Sequence, residues 1–282
     1  MDQPARRTIV LLHAHPDDEA LLTAGTMAKA AAEGHRVVLV VATDGALGLT
    51  DEPTYGAKGD DLAATRGREL AASATALGVA RTVQLGHADS GSGPEVFPDL
   101  PGQRRFVRVP LDEAAEAVAT VLLEERADVL TTYDPNGGYG HRDHVRVHEV
   151  GARAAEIARE CGLPVRVLWA TVPRDLLCRA IDLASKVYPF PPEFDRAGFD
   201  RAYSASAEIT HRIPVRRYAT AKRAAMRAHA SQAVAPKGGV RTLGVLARIP
   251  RPLYDLIFRR EWFVDPDAPV GTRCTDAFEG LS

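Results

Sequence analysis

The sequence has little cysteine, few aromatic residues and no long apolar run. Its three cysteines, Cys161, Cys178 and Cys274, stand far apart among 282 residues and lack the C-x-x-C spacing of metal ribbons and redox pairs. A disulfide scaffold is therefore not expected, and a reducing compartment fits best. The apolar run of residues 9–12 is too short for a signal peptide, and no stretch approaches the roughly 18 apolar residues of a membrane span. We expect a soluble cytoplasmic protein.

Charge is unevenly distributed along the chain, although its sum is near zero. The formal net charge is -2, and 45% of the residues are hydrophobic, as in proteins that bury a core. Residues 201–260 hold 13 of the 35 basic side chains and only 2 of the 37 acidic ones. This segment predicts a basic surface for an anionic substrate, nucleic acid or lipid headgroups, or else a tail that packs against its acidic partner and is otherwise solvated.

Apolar strands and helix-forming segments alternate over the first 171 residues. Strands are predicted at 8–13, 36–42, 81–85, 128–133 and 165–171. Helices are predicted at 19–33, 60–77, 111–126 and 141–161. This alternation indicates an α/β fold, a Rossmann-like three-layer arrangement with a mostly parallel sheet.

The pattern weakens beyond residue 172, where only helices near 216–231 and 252–258 are predicted. We expect one domain over residues 1–282, with a core of about 1–172 and an irregular C-terminal elaboration of about 173–282. The predicted loops at 44–59 and 86–106 follow the carboxyl ends of strands, where open α/β sheets bind their ligands.

Two polar clusters also follow predicted strands. Residues 15–19 read His-Pro-Asp-Asp-Glu after the first strand, and residues 133–144 read Tyr-Asp-Pro-Asn-Gly-Gly-Tyr-Gly-His-Arg-Asp-His after the fourth. Helix capping explains one acid of the first cluster, but not a histidine with three acids. If the two strand ends are neighbours, His15, Asp18 and His144 come together as two imidazoles and one carboxylate.

That set has the composition of a catalytic metal site with an open fourth position. Asp17 would be a spare carboxylate that takes a proton from water as general base. His141 would stabilise the oxyanion or protonate the leaving amine, and Asp143 would fix its tautomer. The inventory suffices for metal-assisted amide hydrolysis. Both Zn²⁺ and Fe²⁺ use these ligands, so the residues alone leave the metal open.

The motifs at 14–19 and 140–144 closely resemble those of the LmbE-like, or PIG-L-type, zinc deacetylases. Further similarity lies in residues 43–45, 66–70, 89–90, 137–139 and 222–232, and the resemblance covers about 230 residues. That family includes the de-N-acetylase of N-acetylglucosaminyl-phosphatidylinositol, deacetylases of mycothiol and bacillithiol biosynthesis, mycothiol-conjugate amidase, and deacetylases of glycopeptide antibiotics. The resemblance implies a zinc-dependent N-deacetylase acting on an N-acetylglucosaminyl-type sugar or glycoconjugate.

The resemblance also implies roles for single residues, and it agrees with the metal ligands and base named above. Tyr139 matches a family tyrosine that polarises the substrate carbonyl. Arg66 matches a substrate-binding arginine, and Asp89 matches an acid that contacts sugar or inositol hydroxyls. His229 and Gln232 lie in the C-terminal motif at residues 222–232. For both residues, a position at the border of the pocket and a structural role are equally expected. His13, His87 and His148 match no motif position and are expected to be structural or solvated.

One departure concerns substrate choice. Many amino-sugar members carry glutamate directly after the glycine of the motif at 43–45, where this chain has Ala46. An amidase of a thiol conjugate or a tailoring deacylase of a secondary metabolite is therefore the alternative enzyme. A non-enzymatic sugar- or nucleotide-binding module is a third interpretation, but no G-x-G-x-x-G follows the first strand.

The basic segment could bind nucleic acid or a membrane surface. Its aromatic residues are too sparse for a stacking platform, so no nucleic acid is expected. Residues 250–258 mix apolar side chains with arginine, which favours peripheral contact with a membrane somewhat more.

Overall fold

The fold is built on a seven-stranded sheet. The computed structural model of the chain describes residues 5–55, 57–186, 195–235, 239–240 and 242–281. Its strands are β1 Thr8–His13, β2 Arg36–Thr43, β3 Arg81–His87, β4 Val129–Tyr133, β5 Arg166–Thr171, β6 His211–Pro214, β7 Val234–Ala235, β8 Gly239–Val240 and β9 Arg260–Val264. Seven of them form one sheet in the order β3-β2-β1-β4-β5-β9-β6, and β7 pairs with β8 separately.

Helices cover both faces of this sheet. They are α1 Asp18–Leu22, α2 Ala24–Ala32, α3 Glu52–Tyr55, α4 Asp60–Leu77, α5 Leu111–Glu125, α6 Gly137–Gly140, α7 Arg142–Glu160, α8 Arg174–Ala184, α9 Ala219–Ala228, α10 Ala230–Ala233, α11 Thr242–Arg248 and α12 Arg251–Ile257. Short 3-10 helices occur at Phe106–Arg108, Ala197–Asp200 and Arg216–Tyr218. None of the helices in the described ranges is long and apolar enough to cross a membrane.

The apolar strands explain the three layers. Strands β1 to β5 pair in parallel. Alternate residues of β1 point to opposite faces: Ile9 and Leu11 join the cluster with α2, α4 and α9, whereas Val10 and Leu12 join the cluster with α5 and α7. The predicted fold class, α/β with a mostly parallel sheet in a Rossmann-like arrangement, is confirmed. The division into one domain with a C-terminal elaboration stays a prediction.

The C-terminal part adds structure that the sequence did not predict. Strand β9 pairs antiparallel with β5, and β6 pairs antiparallel with β9 at the sheet edge. Both strands are short and carry charged residues, so they lack the apolar runs that reveal β1 and β2. The helix predicted at 19–33 is divided at Thr23, where φ is -130° and ψ is -2°, into α1 and α2.

A buried ion pair fastens this C-terminal part to the core. Glu261 in β9 accepts hydrogen bonds from the backbone N–H groups of Gly25 at 2.8 Å and Thr26 at 2.7 Å, in the first turn of α2. Lys222 in α9 donates to the same carboxylate at 2.5 Å and to the carbonyl of Leu21 at 2.6 Å. Both charged side chains are almost completely buried. The carboxylate therefore satisfies donors of a helix N-terminus that would otherwise be unpaired.

Replacing Glu261 with Gln tests the importance of this pair. We expect the free energy of unfolding to fall by about 3–5 kcal/mol, because Lys222 is left as a buried charge without a counter-ion. Urea denaturation of the full chain measures the change. The matched control is Glu33→Gln, since Glu33 pairs with Lys29 at the surface and should contribute less than about 1 kcal/mol. Equal stability of the two variants would contradict the assignment.

Candidate functional site

The two polar clusters meet because β1 and β4 are neighbours in the sheet. The strand order reverses between them, and Leu11 of β1 pairs with Thr131 of β4. Each strand ends two residues later, at His13 and Tyr133. Open α/β sheets bind ligands in the crevice at the carboxyl ends of the strands, where the order reverses.

The three predicted ligands lie together in this crevice. His15 Nδ1 and His144 Nε2 are each 3.3 Å from Asp18 Oδ2. A tetrahedral ion with bonds of about 2.0–2.2 Å separates its ligand atoms by about 3.3–3.5 Å, so the spacing fits a metal ion. His144 Nε2 is buried and has no hydrogen-bond partner among the residues that the structure describes, as expected of a nitrogen held for a ligand. The donor set suits Zn²⁺ or Fe²⁺, and its role as a metal site stays a prediction.

Two further acids surround the other nitrogen of His15. His15 Nε2 donates to Asp143 Oδ2 at 3.2 Å and lies 3.6 Å from Asp89 Oδ1. These contacts orient the ring so that Nδ1 faces Asp18, which is the usual function of an acid beside a metal-ligating histidine. His15, Asp89, His141 and Asp143 also offer ligand atoms within 4.8 Å of one another.

Asp143 contacts His141 through its backbone and not through the carboxylate that was predicted to fix the tautomer of His141. Its carboxylate binds His15 and the backbone N–H of Ser90, whereas its own backbone N–H donates to His141 Nδ1 at 3.2 Å. Because Nδ1 accepts, a neutral His141 carries its proton on Nε2. Burial, reinforced by His15 and His144, lowers the pKa of His141 to about 4. The neutral ring is therefore an N–H donor at neutral pH.

Arg66 is buried beneath the first cluster rather than exposed on the rim. Its guanidinium donates to the carbonyl of Gly45 at 2.8 Å, to Asp17 Oδ1 at 3.0 Å and to the carbonyl of Pro16. The arginine is only 3% exposed. It therefore holds the loop after β1 against the loop after β2, and its predicted role in substrate binding stays a prediction.

Asp17 is held in an unusual backbone conformation. It precedes α1 with a φ of 125° and a ψ of -24°, and its side chain makes no helix-capping hydrogen bond. Capping therefore does not account for this acid. Burial raises the pKa of Asp17, although the nearby Arg66 opposes the shift. The carboxylate is only partly buried, so it can reach a ligand in the crevice.

Asp89 and Tyr139 occupy different depths of the site. Asp89 is buried and accepts the backbone N–H groups of Gly91 at 2.8 Å and Leu47 at 3.3 Å, joining the loops after β2 and β3. Tyr139 is 57% exposed, with its ring centroid 5.0 Å from that of His144. Their predicted contacts with substrate hydroxyls and with the carbonyl stay predictions.

The structure adds two residues that the motifs did not single out. Asp134 is buried and accepts the backbone N–H groups of Asn136 and Gly138, and its second oxygen accepts the hydroxyl of Thr171 at 2.6 Å. Tyr133 stacks on His144 with ring centroids 4.3 Å apart. The Asp-Pro-Asn-Gly sequence is a turn signal that indicates the role of Asp134.

The histidines outside the motifs lie around the site. His13 bonds the hydroxyls of Tyr133 and Thr23, and His148 bonds the carbonyl of Tyr133. His87 stacks on Phe106. These contacts agree with structural roles.

The chain is similar in sequence to known deacetylases. Residues 10–155 match the family model described as PIG-L: GlcNAc-PI de-N-acetylase. The 1D-myo-inositol 2-acetamido-2-deoxy-alpha-D-glucopyranoside deacetylase of Streptomyces avermitilis is 36% identical over 305 residues, covering 100% of this chain and 99% of the relative. Deacetylase 1 of the same description from Catenulispora acidiphila is 38% identical over 253 residues, covering 81% and 76%.

A solved structure supports the fold. The N,N'-diacetylchitobiose deacetylase of Pyrococcus horikoshii superimposes with a TM-score of 0.58 at 21% identity, covering 92% of this chain and 82% of that one. At this identity the likeness establishes the fold alone.

Two glycines test how tightly the buried Arg66 is enclosed. A Cβ at Gly48 would lie 2.6 Å from Arg66 Nη1 and 2.9 Å from Gln232 Oε1. We expect Gly48→Ala to lower the free energy of unfolding by about 1–3 kcal/mol through overpacking. Gly67→Ala is the matched control, because a Cβ in that helical position meets nothing closer than 3.9 Å and should stabilise by about 0.5–1 kcal/mol. Urea denaturation of both variants decides, and a Gly48→Ala variant as stable as the parent would refute the enclosure.

Proposed function

Because the chain belongs to the PIG-L family of de-N-acetylases, we propose that it hydrolyses the acetamide of an N-acetylglucosaminyl sugar with a Zn²⁺ ion bound by His15, Asp18 and His144. The ligand assignment is supported by the two 3.3 Å separations around Asp18 Oδ2 and by the buried His144 Nε2, for which the described part of the chain offers no hydrogen-bond partner. Fe²⁺ suits the same donors and is the alternative metal. Family membership rejects the interpretation as a non-enzymatic binding module.

The reaction breaks the bond between the acetyl carbon and the amide nitrogen and consumes one water. When bound, the ion lowers the pKa of a water and polarises the substrate carbonyl. Asp17 takes a proton from the attacking water, because its partly exposed carboxylate lies at the edge of the site. The guanidinium of Arg66 keeps that carboxylate in place.

The groups on the opposite side act on the carbonyl. Tyr139 donates its hydroxyl proton as a hydrogen bond to the carbonyl oxygen, where negative charge develops. His141, whose Nε2 carries the proton, stabilises this charge by donating a hydrogen bond. Because the ring is neutral, the departing nitrogen takes the proton that Asp17 removed from the water. The products are acetate and a free amino sugar.

The substrate is proposed to be an N-acetylglucosaminyl-inositol or a related glycoconjugate, as in the two relatives above. We propose that Asp89 and Arg66 contribute to binding its hydroxyl-bearing part. Ala46 is buried and binds Asp44 only through its backbone N–H, so this position offers no side-chain carboxylate. That difference favours, as the second candidate, an amidase of a thiol conjugate or a tailoring deacylase.

Peripheral membrane contact also stays a proposal. Leu253, Leu256 and Ile257 are spaced along one exposed face of α12, beside the exposed Arg251 and Arg259. Among the described basic residues at 201–260, ion pairs form only at Lys222 and Arg251. Sedimentation with anionic liposomes tests this contact, and the cytoplasmic location remains a prediction.

Two adjacent aspartates separate metal binding from catalysis. We expect Asp17→Asn to retain one metal ion per chain and to lose about 10²–10⁴-fold in kcat, because the general base is removed. Asp18→Asn should lose both the ion and the activity. Metal analysis and acetate release from N-acetylglucosaminyl-inositol measure these effects.

The control for this pair is Asp112→Asn, a change at an exposed surface carboxylate that pairs with Arg153. It should keep both properties. Full turnover by Asp17→Asn would remove Asp17 as the base, and full metal content in Asp18→Asn would remove Asp18 as a ligand.

A panel of N-acyl substrates separates the two candidate functions. We expect the highest kcat/KM for N-acetylglucosaminyl-inositol, with weaker turnover of thiol conjugates and of longer acyl chains. A preference for a thiol conjugate or a long acyl group would instead establish the second candidate. Absence of acetate release from every member would reject deacetylation.

A further inference from the structure

Asp17 needs support that its own sequence does not provide. A φ of 125° is rarely adopted by a residue with a Cβ, and such conformations cost about 1–3 kcal/mol unless the surroundings enforce them. Arg66 restrains the side chain through Asp17 Oδ1. A second contact must hold the backbone.

Glu19 makes that backbone contact. Its Oε2 accepts the N–H of Asp17 at 3.0 Å, and its Oε1 accepts the hydroxyl of Ser73 at 2.5 Å. His229 donates from Nε2 to the same Oε1 at 2.6 Å. As a carboxylate, Glu19 can accept hydrogen bonds from all three groups at once.

Neither member of the Glu19–His229 contact touches solvent. An ionised carboxylate without these donors would be costly at zero exposure. The position of Glu19 therefore depends on His229.

We propose that Glu19 and His229 form a positioning pair that holds the backbone of Asp17. The backbone in turn keeps the side-chain carboxylate of Asp17, the general base, in the orientation used for catalysis. This inference rests on the proposed function, because it takes Asp17 as the base. This proposal gives His229 a positioning role. From the sequence, two other roles were equally expected for it: lining the pocket, or a purely structural role. His229 lies at the junction of α9 and α10, with a φ of -84° and a ψ of 57°.

The test compares two replacements of His229 in the full chain loaded with metal. His229→Leu fills the space without a donor, and we expect kcat to fall about 10²-fold, as for a catalytic group displaced by about 1 Å. KM and metal content should stay unchanged. His229→Gln retains a donor toward Glu19 and should recover most of kcat. A crystal structure of His229→Leu should show Asp17 with a negative φ.

Two further variants guard against misfolding and unspecific effects. Ser73→Ala removes one donor to Glu19 and should lower kcat less than His229→Leu. His35→Leu is the matched control, because His35 accepts the N–H of Arg7 and packs on Phe278 away from the site. Its kcat should equal that of the parent.

The possible failures are distinguishable. Three results would overturn the positioning pair. They are a folded His229→Leu variant with the kcat of the parent, a variant in which only KM rises, and a variant that loses the metal. If the parent protein releases no acetate from any substrate, the proposed function fails. The φ of Asp17 in the His229→Leu crystal structure then still decides, and an unchanged value would overturn the pair.

Discussion

The site depends on the parallel pairing of β1 with β4. These strands are far apart in sequence, and their register places Leu11 beside Thr131. Both strands leave the sheet at the same edge, so the turns that follow them share one crevice. If another strand lay between β1 and β4, His15 and His144 would be separated by about 5 Å more, the spacing of neighbouring strands. The close contact of the two histidines with Asp18 would then be lost.

Much of this arrangement could be predicted from the sequence. The strands β1 and β2 are continuous apolar runs, as expected where helices cover both faces of a sheet. The motif residues follow strand ends, so their convergence follows from the strand order. The contact between Asp143 and His15 could not be predicted. Sequence spacing favours His141 as the partner of Asp143, because it is nearer in the chain, and spacing does not show which ring a carboxylate faces.

The contribution of the C-terminal part was the hardest to predict. Strand β9 is five residues long and begins with two charged residues, so no apolar pattern indicates it. Glu261 of β9 accepts hydrogen bonds at the N-terminus of α2, although 235 residues of sequence separate it from Thr26. A count of charges along the sequence treats such an acid as a solvated group. Lys222 likewise contributes to the basic excess of residues 201–260, although it is buried. Net charge describes a surface correctly only after the buried ions have been removed from the count.

The distance along the chain between Glu19 and His229 has a consequence for the order of synthesis. Their side chains meet across 210 residues, and a nascent chain emerges with its N-terminus first. The first polar cluster is thus translated long before its partner exists. A ribosome that stops before residue 229 releases a chain with every proposed metal ligand but without the contact that restrains Asp17. The synthesis of His229 therefore sets the earliest moment at which the loop after β1 can be fixed.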